Sequence, residues 1–202
     1  MGIKEYMRSI RLYWMRLNVK NDVDRTIFCN MCLGGVISHD FRLRFCSPTV
    51  NLMIPGHEFV EMMKNPRQIE GCITEVADSG KKYPVGLLNN QYHLHFIHYK
   101  TFEEAVEVWR RRVNRVDYSS IYAILVETVS CSYQDLEKFD KLPFQHKIAL
   151  VHKAYPGIKC SKVIPNFDGK NLHGEILGYI GNTGRRLYDY VDWAEFLDLK
   201  QK

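Results

Sequence analysis

The stretch from Ile121 to Val129 reads IYAILVETV, and the stretch from His146 to Lys153 reads HKIALVHK. Both are nearly continuous apolar runs of strand length, a pattern typical of strands covered on both faces of a sheet. A helical pattern lies between them, capped by Ser132 and running through Phe139. We therefore predict that these two strands lie at the centre of a sheet that helices cover on both sides.

Shorter strands are predicted around this centre. They cover residues 26–28, 47–54, 81–88, 92–99 and 162–167. Two of them flank the Asn89-Asn90 turn closely enough to form a hairpin, which makes the sheet mixed. Thr101 and Glu104 form a capping box, so a helix is predicted from there to about Arg115. The alternation of strands and helices predicts a single α/β domain with three α/β/α layers around a mixed sheet.

The composition of the chain indicates a single domain and limits the classes of ligand that it is expected to bind. The chain has 202 residues, of which 46% are apolar, and this is enough for one continuous core. The net charge of +5 suits small anionic ligands and is too low to favour nucleic acid. Charged residues interrupt the first twenty positions, and no apolar run is long enough to span a bilayer. We therefore expect a cytoplasmic location and cysteines that remain thiols.

The first 22 residues are predicted to form a basic amphipathic helix ahead of a domain that spans residues 23–202. An apolar stripe recurs at intervals of three and four residues and comprises Ile3, Met7, Ile10, Trp14 and Leu17. The opposite surface carries Lys4, Arg8, Arg11 and Arg16. Two interpretations fit this pattern. Either the stripe packs on the domain, or residues 3–17 lie on the anionic inner face of a membrane.

Reactive residues and glycines concentrate between Thr26 and Pro55, in the stretch TIFCNMCLGGVISHDFRLRFCSPTVNLMIP. The predicted turn contains Asn30, Cys32, Gly34 and Gly35, and Ser47 and Thr49 open the next predicted strand. Glycines allow a backbone to approach a ligand, and a nest of amides here would stabilise a thiolate or a substrate oxyanion. We therefore predict a substrate site at this turn.

His98 completes the predicted site, because it ends a strand just before a capped helix, where open α/β sheets place ligands. In a covalent mechanism, Cys32 is the nucleophile, His98 is its base, and Asn30 or Ser47 orients them. In a direct mechanism, His98 deprotonates a sugar hydroxyl while Asn30, Ser47 and Thr49 position donor and acceptor. In a third interpretation, His98 only hydrogen-bonds the neighbouring turn.

Other residues are predicted to contact substrate in the same crevice. They are His95, Tyr99, Lys153 and Tyr155, with His152 beside them. Arg112 lies three residues after Trp109, next to the predicted buried stripe of its helix, and a partly buried guanidinium needs a partner. That partner is a diphosphate of the substrate or a core carboxylate such as Glu127 or Asp140.

No metal is predicted. Cys29 and Cys32 form a CxxC pair that has no second pair in the chain, and a zinc site would need two further ligands from elsewhere. The sequence also has no GxGxxG motif, no Walker loop and no DxD-like pair at a strand end. These absences argue against the commonest dinucleotide, triphosphate and metal-dependent sugar-nucleotide sites.

Several blocks of the sequence carry a family resemblance. They are CNMCLGG (29–35), SPTVNL (47–52), YPVG (83–86), HFIHY (95–99), Trp109 with Arg111, Arg112 and Arg115, and HKAYP (152–156). In this order and over residues 24 to 199, they resemble the bacterial family called domain of unknown function 1919, whose members are often labelled exopolysaccharide biosynthesis proteins. The resemblance implies an α/β/α fold and a place in capsule or surface-polysaccharide synthesis. It implies no particular reaction.

Residues and resemblance together predict a carbohydrate-modifying transferase, with acyl transfer favoured over glycosyl or phosphoryl transfer. Its expected ligands are a saccharide and an activated sugar or acyl-coenzyme A donor. The alternative is a non-catalytic module that binds a polysaccharide or a partner in the assembly machinery. Slow hydrolysis of the donor by the pure protein would indicate the transferase. A shallow aromatic groove in place of a deep crevice would indicate the binding module.

Overall fold

The computed structural model describes residues 2–17, 19–20, 24–77, 79–168 and 175–200. The strands are β1 (Thr26–Cys29), β2 (Ile73–Glu75), β3 (Val85–Leu88), β4 (Tyr92–His95), β5 (Ile121–Val126), β6 (His146–Val151) and β7 (Ser161–Val163). The helices are α1 (Ile3–Leu17), α2 (Leu33–Asp40), α3 (Gly56–Met63), α4 (Phe102–Val113), α5 (Tyr133–Asp140) and α6 (Trp193–Phe196). Short 3-10 helices cover Pro66–Glu70, Glu175–Leu177 and Leu187–Tyr190.

The strands form two sheets, one parallel and one antiparallel. The parallel sheet has the order β1-β5-β6-β7, and the antiparallel sheet has the order β2-β3-β4. The predicted central strands β5 and β6 are the two inner strands of the parallel sheet. Helices pack around both sheets, so the predicted α/β class is confirmed.

Strand β5 separates two hydrophobic cores. Its residues 121, 123 and 125 join a core with α3, α4, α5 and the antiparallel sheet. Its residues 122, 124 and 126 join a second core with α2, α6 and the 3-10 helix at Leu187–Tyr190. Because both faces are covered, every residue of β5 is buried, as its apolar sequence predicts.

Two predictions around β1 are wrong in detail. Residues 48–51 form a turn rather than a strand, and Met53 makes only a single bridge to His95. Asn51 has a φ of 66°, a left-handed conformation that interrupts an extended chain. The predicted glycine turn is also different, because Gly34 and Gly35 lie in α2.

The helical position of Gly34 has a packing reason. A Cβ atom there would lie 2.9 Å from Cβ of Cys29. Glycine thus lets α2 approach β1 closely, and the predicted nest of amides stays a prediction.

Helix α1 contacts the domain through the side opposite its apolar stripe. Arg8 and Leu12, one turn apart, are its buried residues. The apolar and aromatic residues that face solvent are Ile3, Tyr6, Met7, Ile10, Tyr13, Trp14 and Leu17. The interpretation that the stripe packs on the domain is therefore wrong.

A buried ion-pair network attaches α1 to the domain. The guanidinium of Arg8 donates to Asp40 of α2, to Asp189 and to the hydroxyl of Tyr188. Tyr188 in turn donates to Oδ2 of Asp40 at 2.6 Å. The side chains of Arg8 and both carboxylates are each only 7% exposed. Burial lowers the pKa of Arg8, but the oxygens of Tyr188, Asp40 and Asp189 outweigh it and raise the pKa overall.

Two further predictions concern the end of the N-terminal helix and the absence of a membrane-spanning segment. The boundary predicted between residues 22 and 23 lies outside the described residues. Within the described segments, no helix has the length and apolar content needed to cross a bilayer.

Candidate active site

Three polar side chains follow directly from the carboxyl ends of neighbouring parallel strands. Asn30 follows β1, Glu127 follows β5 and His152 follows β6. Because the strands are parallel and adjacent, their carboxyl ends meet at one edge of the sheet. Open parallel sheets bind ligands at this edge. We call the edge, with its residues Asn30, Glu127, His152 and Tyr155, the rim.

Glu127 is the central acceptor of the rim. It is 5% exposed, and its Oε2 accepts the backbone N–H of His152 at 2.9 Å. The same oxygen lies 2.7 Å from Nδ1 of the His152 ring, and the Tyr155 hydroxyl donates to Oε1. A buried carboxylate needs such donors to offset its desolvation. Glu127 therefore fixes both His152 and Tyr155.

The His152 ring is held at Nδ1 and open at Nε2. Its side chain is 33% exposed, and no described residue hydrogen-bonds Nε2. Tyr155 lies edge-on to the ring with centroids 6.0 Å apart, and Lys153 places its ammonium 5.4 Å from the Tyr155 ring centroid. A carboxylate that orients one imidazole nitrogen and leaves the other accessible is the arrangement of a general base.

Tyr155 serves to hold Glu127. Burial, the hydrogen bond to Glu127 and the charge of that carboxylate all raise the pKa of Tyr155 above its ordinary value. The phenol therefore stays protonated at neutral pH and continues to donate to Glu127. Its predicted contact with substrate stays a prediction.

Three of the predicted site residues are buried and occupied by structural hydrogen bonds. The Asn30 amide donates to the carbonyl of Val126 at 2.9 Å and accepts the N–H of Val126 at 2.8 Å, extending the β1–β5 pairing. Thr49 accepts the N–H of Cys29 at 3.1 Å, and Ser47 lies 3.0 Å from the Thr49 hydroxyl. These side chains shape the end of β1, and their predicted positioning role is untested.

Cys32 is half-buried at the start of α2, and its Sγ lies 3.7 Å from the carbonyl oxygen of Leu52. Burial raises the pKa of the Cys32 thiol to about 11. A thiol with that pKa is almost entirely protonated at neutral pH, and the thiolate is the nucleophilic form. Cys32 is therefore not activated by a lowered pKa, and its predicted role as the nucleophile stays a prediction.

His98 lies between β4 of the antiparallel sheet and α4. His98 is exposed in the turn before α4, and no hydrogen bond or ion pair joins it to Asn30, Cys32 or Ser47 in the described segments. His95 ends β4, where its backbone bridges Met53. The pairing of His98 with the β1 turn stays a prediction.

The profile of the family called domain of unknown function (DUF1919) matches residues 3–198. This chain belongs to the DUF1919 family. An uncharacterized protein of Haemophilus influenzae is similar, with 31% identity over 176 residues, which is 86% of this chain and 84% of that protein. The matched region of this DUF1919 protein includes both α1 and the rim.

Arg112 of the DUF1919 domain has a partner that the sequence did not predict. Its Nη1 donates to the carbonyl of Val50 at 2.9 Å and to the Tyr99 hydroxyl at 2.8 Å. The predicted carboxylate partners are wrong: Glu127 holds His152, and Asp140 accepts the backbone N–H of Cys160 at 2.8 Å. Burial raises the pKa of Tyr99 even though the Arg112 charge opposes it. The predicted contact of Arg112 with a diphosphate is untested.

Helix α3 docks on the loop that follows Glu127. The N–H of Gly56 donates to Oγ of Ser130 at 2.8 Å, and that oxygen lies 2.8 Å from the Thr128 hydroxyl. A Cβ atom on Gly56 would lie 2.0 Å from Sγ of Cys131. The close approach of α3 therefore depends on glycine at this position.

Gly56→Ala is expected to destabilise the DUF1919 domain by about 1–3 kcal/mol, because the added methyl overlaps the Cys131 sulfur. Urea unfolding measures the cost. In a Cys131→Ala background the nearest remaining atom, Cβ of residue 131, is 3.5 Å away, so Gly56→Ala should become neutral or stabilising. An equal cost in both backgrounds would contradict this explanation.

Glu127 is the rim residue whose role sequence reasoning missed. A usable signal was present, because Glu127 directly follows one buried strand and His152 directly follows the next. In the parallel register the N–H of Glu127 pairs with the carbonyl of Leu150, which brings the two strand ends together. In the described segments, no group of three or more His, Cys, Asp or Glu residues has the arrangement of a metal site.

Proposed function

We propose that this protein is a transferase of exopolysaccharide or capsule assembly that moves a group from an activated donor to a sugar hydroxyl. Acyl transfer is favoured over glycosyl or phosphoryl transfer. The family resemblance supports the saccharide as substrate. The Glu127–His152 pair at the carboxyl edge of the parallel sheet supports the chemistry, and it is the observation that carries the proposal.

In the proposed reaction, Nε2 of His152 takes the proton of the sugar hydroxyl while the hydroxyl oxygen attacks the carbonyl carbon of an acyl-coenzyme A. The ester C–O bond forms and the thioester C–S bond breaks. The proton then passes from His152 to the leaving thiolate. Glu127 accepts the Nδ1–H of His152 at 2.7 Å and stabilises the imidazolium during the transfer.

A direct transfer suits this site better than an acyl-cysteine intermediate. The raised pKa of Cys32 leaves its thiol protonated at neutral pH. His152 is tied to Glu127, and no described hydrogen bond links it to Cys32. The proposed mechanism therefore assigns the base role to His152 and needs no nucleophile from the protein.

Donor turnover by the purified protein tests the function. We expect slow release of free coenzyme A from acyl-coenzyme A without acceptor, and faster release when saccharide fragments are added. Nucleotide sugars in parallel reactions test glycosyl transfer. Saccharide binding without turnover of any donor would instead identify the non-catalytic binding module.

We also propose that the protein works at the inner face of the membrane, which it contacts through residues 3–17. The solvent-facing stripe of α1 contains Tyr6, Tyr13 and Trp14, and amphipathic aromatic residues favour the membrane interface. Basic residues flank the stripe and favour anionic lipid. Cosedimentation with phosphatidylglycerol vesicles should occur at low salt and weaken at high salt. Failure to bind at low salt would contradict this proposal.

A further inference from the structure

A groove of about 460 Å³ separates α1 from the segment that contains Thr183 and Arg185. Its α1 wall is largely apolar and includes Met7, Ile10, Trp14 and Met15. Arg11 and Arg185 also line it, one from each wall. The groove therefore combines a hydrocarbon surface with two guanidinium groups.

The guanidiniums are held in place but remain accessible. Nη2 of Arg185 donates to the carbonyl of Asp189 at 3.3 Å, and its guanidinium carbon lies 5.7 Å from the Tyr190 ring centroid. Nε of Arg11 is 3.7 Å from Oδ2 of Asp189, and the Arg11 side chain is 41% exposed. Each guanidinium has five N–H donors, so several on each remain for a ligand.

The charge around the groove is unbalanced in favour of an anion. Arg8 already pairs with both Asp40 and Asp189. Arg11 and Arg185 line the groove, and its described lining residues include no carboxylate, so the positive charge of these two side chains is available to an anion. A phosphate diester carries one negative charge and accepts hydrogen bonds from guanidinium groups.

The occupant must also cover hydrocarbon. The groove shares Met7, Ile10 and Trp14 with the exposed stripe of α1, so its apolar wall continues into that surface. A free phosphate would leave this surface in water. A phospholipid in a bilayer places its phosphate beside the guanidiniums and its neighbouring acyl chains against the stripe.

We propose that the groove between α1 and residues 183–185 is a headgroup site for an acidic phospholipid of the bilayer, with Arg11 and Arg185 on the phosphate and Trp14 in the interface. The inference rests on the proposed membrane contact of residues 3–17 and adds the lipid chemistry to it. A lipid site would also explain why the buried Arg8 network attaches α1 to the domain with its apolar stripe facing outward.

Vesicle partitioning of matched double variants tests the site. Arg11→Gln with Arg185→Gln is expected to weaken binding to phosphatidylglycerol vesicles by roughly 30-fold, from about 1 kcal/mol for each basic residue at the surface. Arg110→Gln with Arg111→Gln removes the same charge from exposed positions of α4 and should change binding less than about 3-fold. Equal losses for the two variants would overturn the headgroup site.

Trp14 supplies a separate readout of the membrane contact. It is 61% exposed, whereas Trp109 and Trp193 are buried, so quenching by brominated lipid reports mainly on Trp14. If quenching persists in phosphatidylcholine vesicles and is the same in both arginine double variants as in the wild type, the membrane contact is supported but the headgroup site is rejected. Absence of quenching in any vesicle would reject both. If the wild-type protein does not bind vesicles but self-associates, and Trp14→Ser abolishes the self-association, the surface binds a second copy of the chain and the proposal is overturned.

Discussion

His152→Gln is expected to lower the rate of group transfer by about 10²–10⁴-fold, the usual contribution of a positioned general base. Glutamine retains an amide that can donate to Glu127, but it cannot take a proton from a hydroxyl. Because the backbone N–H of His152 still donates to Glu127, the melting temperature should change little. Initial rates of acyl transfer and thermal unfolding of the same preparations measure both effects.

Three control variants identify the responsible group. His146→Gln alters the opposite end of β6, where His146 stacks on Tyr122, and should leave the rate nearly unchanged. Cys32→Ser should retain most activity, because the wild-type thiol is protonated at neutral pH. If His98→Ala abolishes transfer while His152→Gln does not, the base is His98 and the rim mechanism is wrong.

Arg8→Met is expected to lower the free energy of unfolding by about 3–5 kcal/mol, because it leaves buried Asp40 without its arginine and leaves Asp189 only the 3.7 Å contact with Arg11. Asp40 and Asp189 have side chains that are only 7% exposed, so water cannot replace the lost interaction fully. Methionine retains most of the apolar stem, which separates loss of charge from loss of packing. Urea unfolding of both proteins measures the difference.

Two comparisons make this result specific. Arg11→Met removes a cation on the same helix, but one that is 41% exposed, and it should cost less than about 1 kcal/mol. Adding Asp40→Asn and Asp189→Asn to Arg8→Met should recover part of the loss by removing the uncompensated charges. A cost below about 1 kcal/mol for Arg8→Met alone would show that the network does not stabilise the fold.

The fold class followed from local and repetitive features of the sequence. The apolar runs of β5 and β6 predicted inner strands because such runs need cover on both faces. The starts of α4 and α5 were equally readable, since Thr101 and Ser132 accept the N–H three residues later as predicted. These features depend on neighbours along the chain, which a sequence displays directly.

The site was less readable, because its geometry joins distant segments. His152, Lys153 and Tyr155 were predicted to line the crevice, but Glu127 was considered only as one candidate partner of Arg112 and not as a partner of His152. Only the parallel register of β5 and β6 brings that carboxylate to the imidazole. Gly34 similarly suggested a ligand-binding turn, whereas its contact with Cys29 across the α2–β1 interface explains the glycine.

The sequence by itself determined the inner strands, the helix caps and the amphipathic character of α1, because hydrophobic periodicity and capping are local. Tertiary structure alone decided which side of α1 is buried. Periodicity favoured burial of the apolar stripe, but Asp40 and Asp189 together satisfy the Arg8 guanidinium and fix the opposite side against the domain. Two carboxylates separated by 149 positions in the chain meet only in the folded protein, so no local pattern could reveal them.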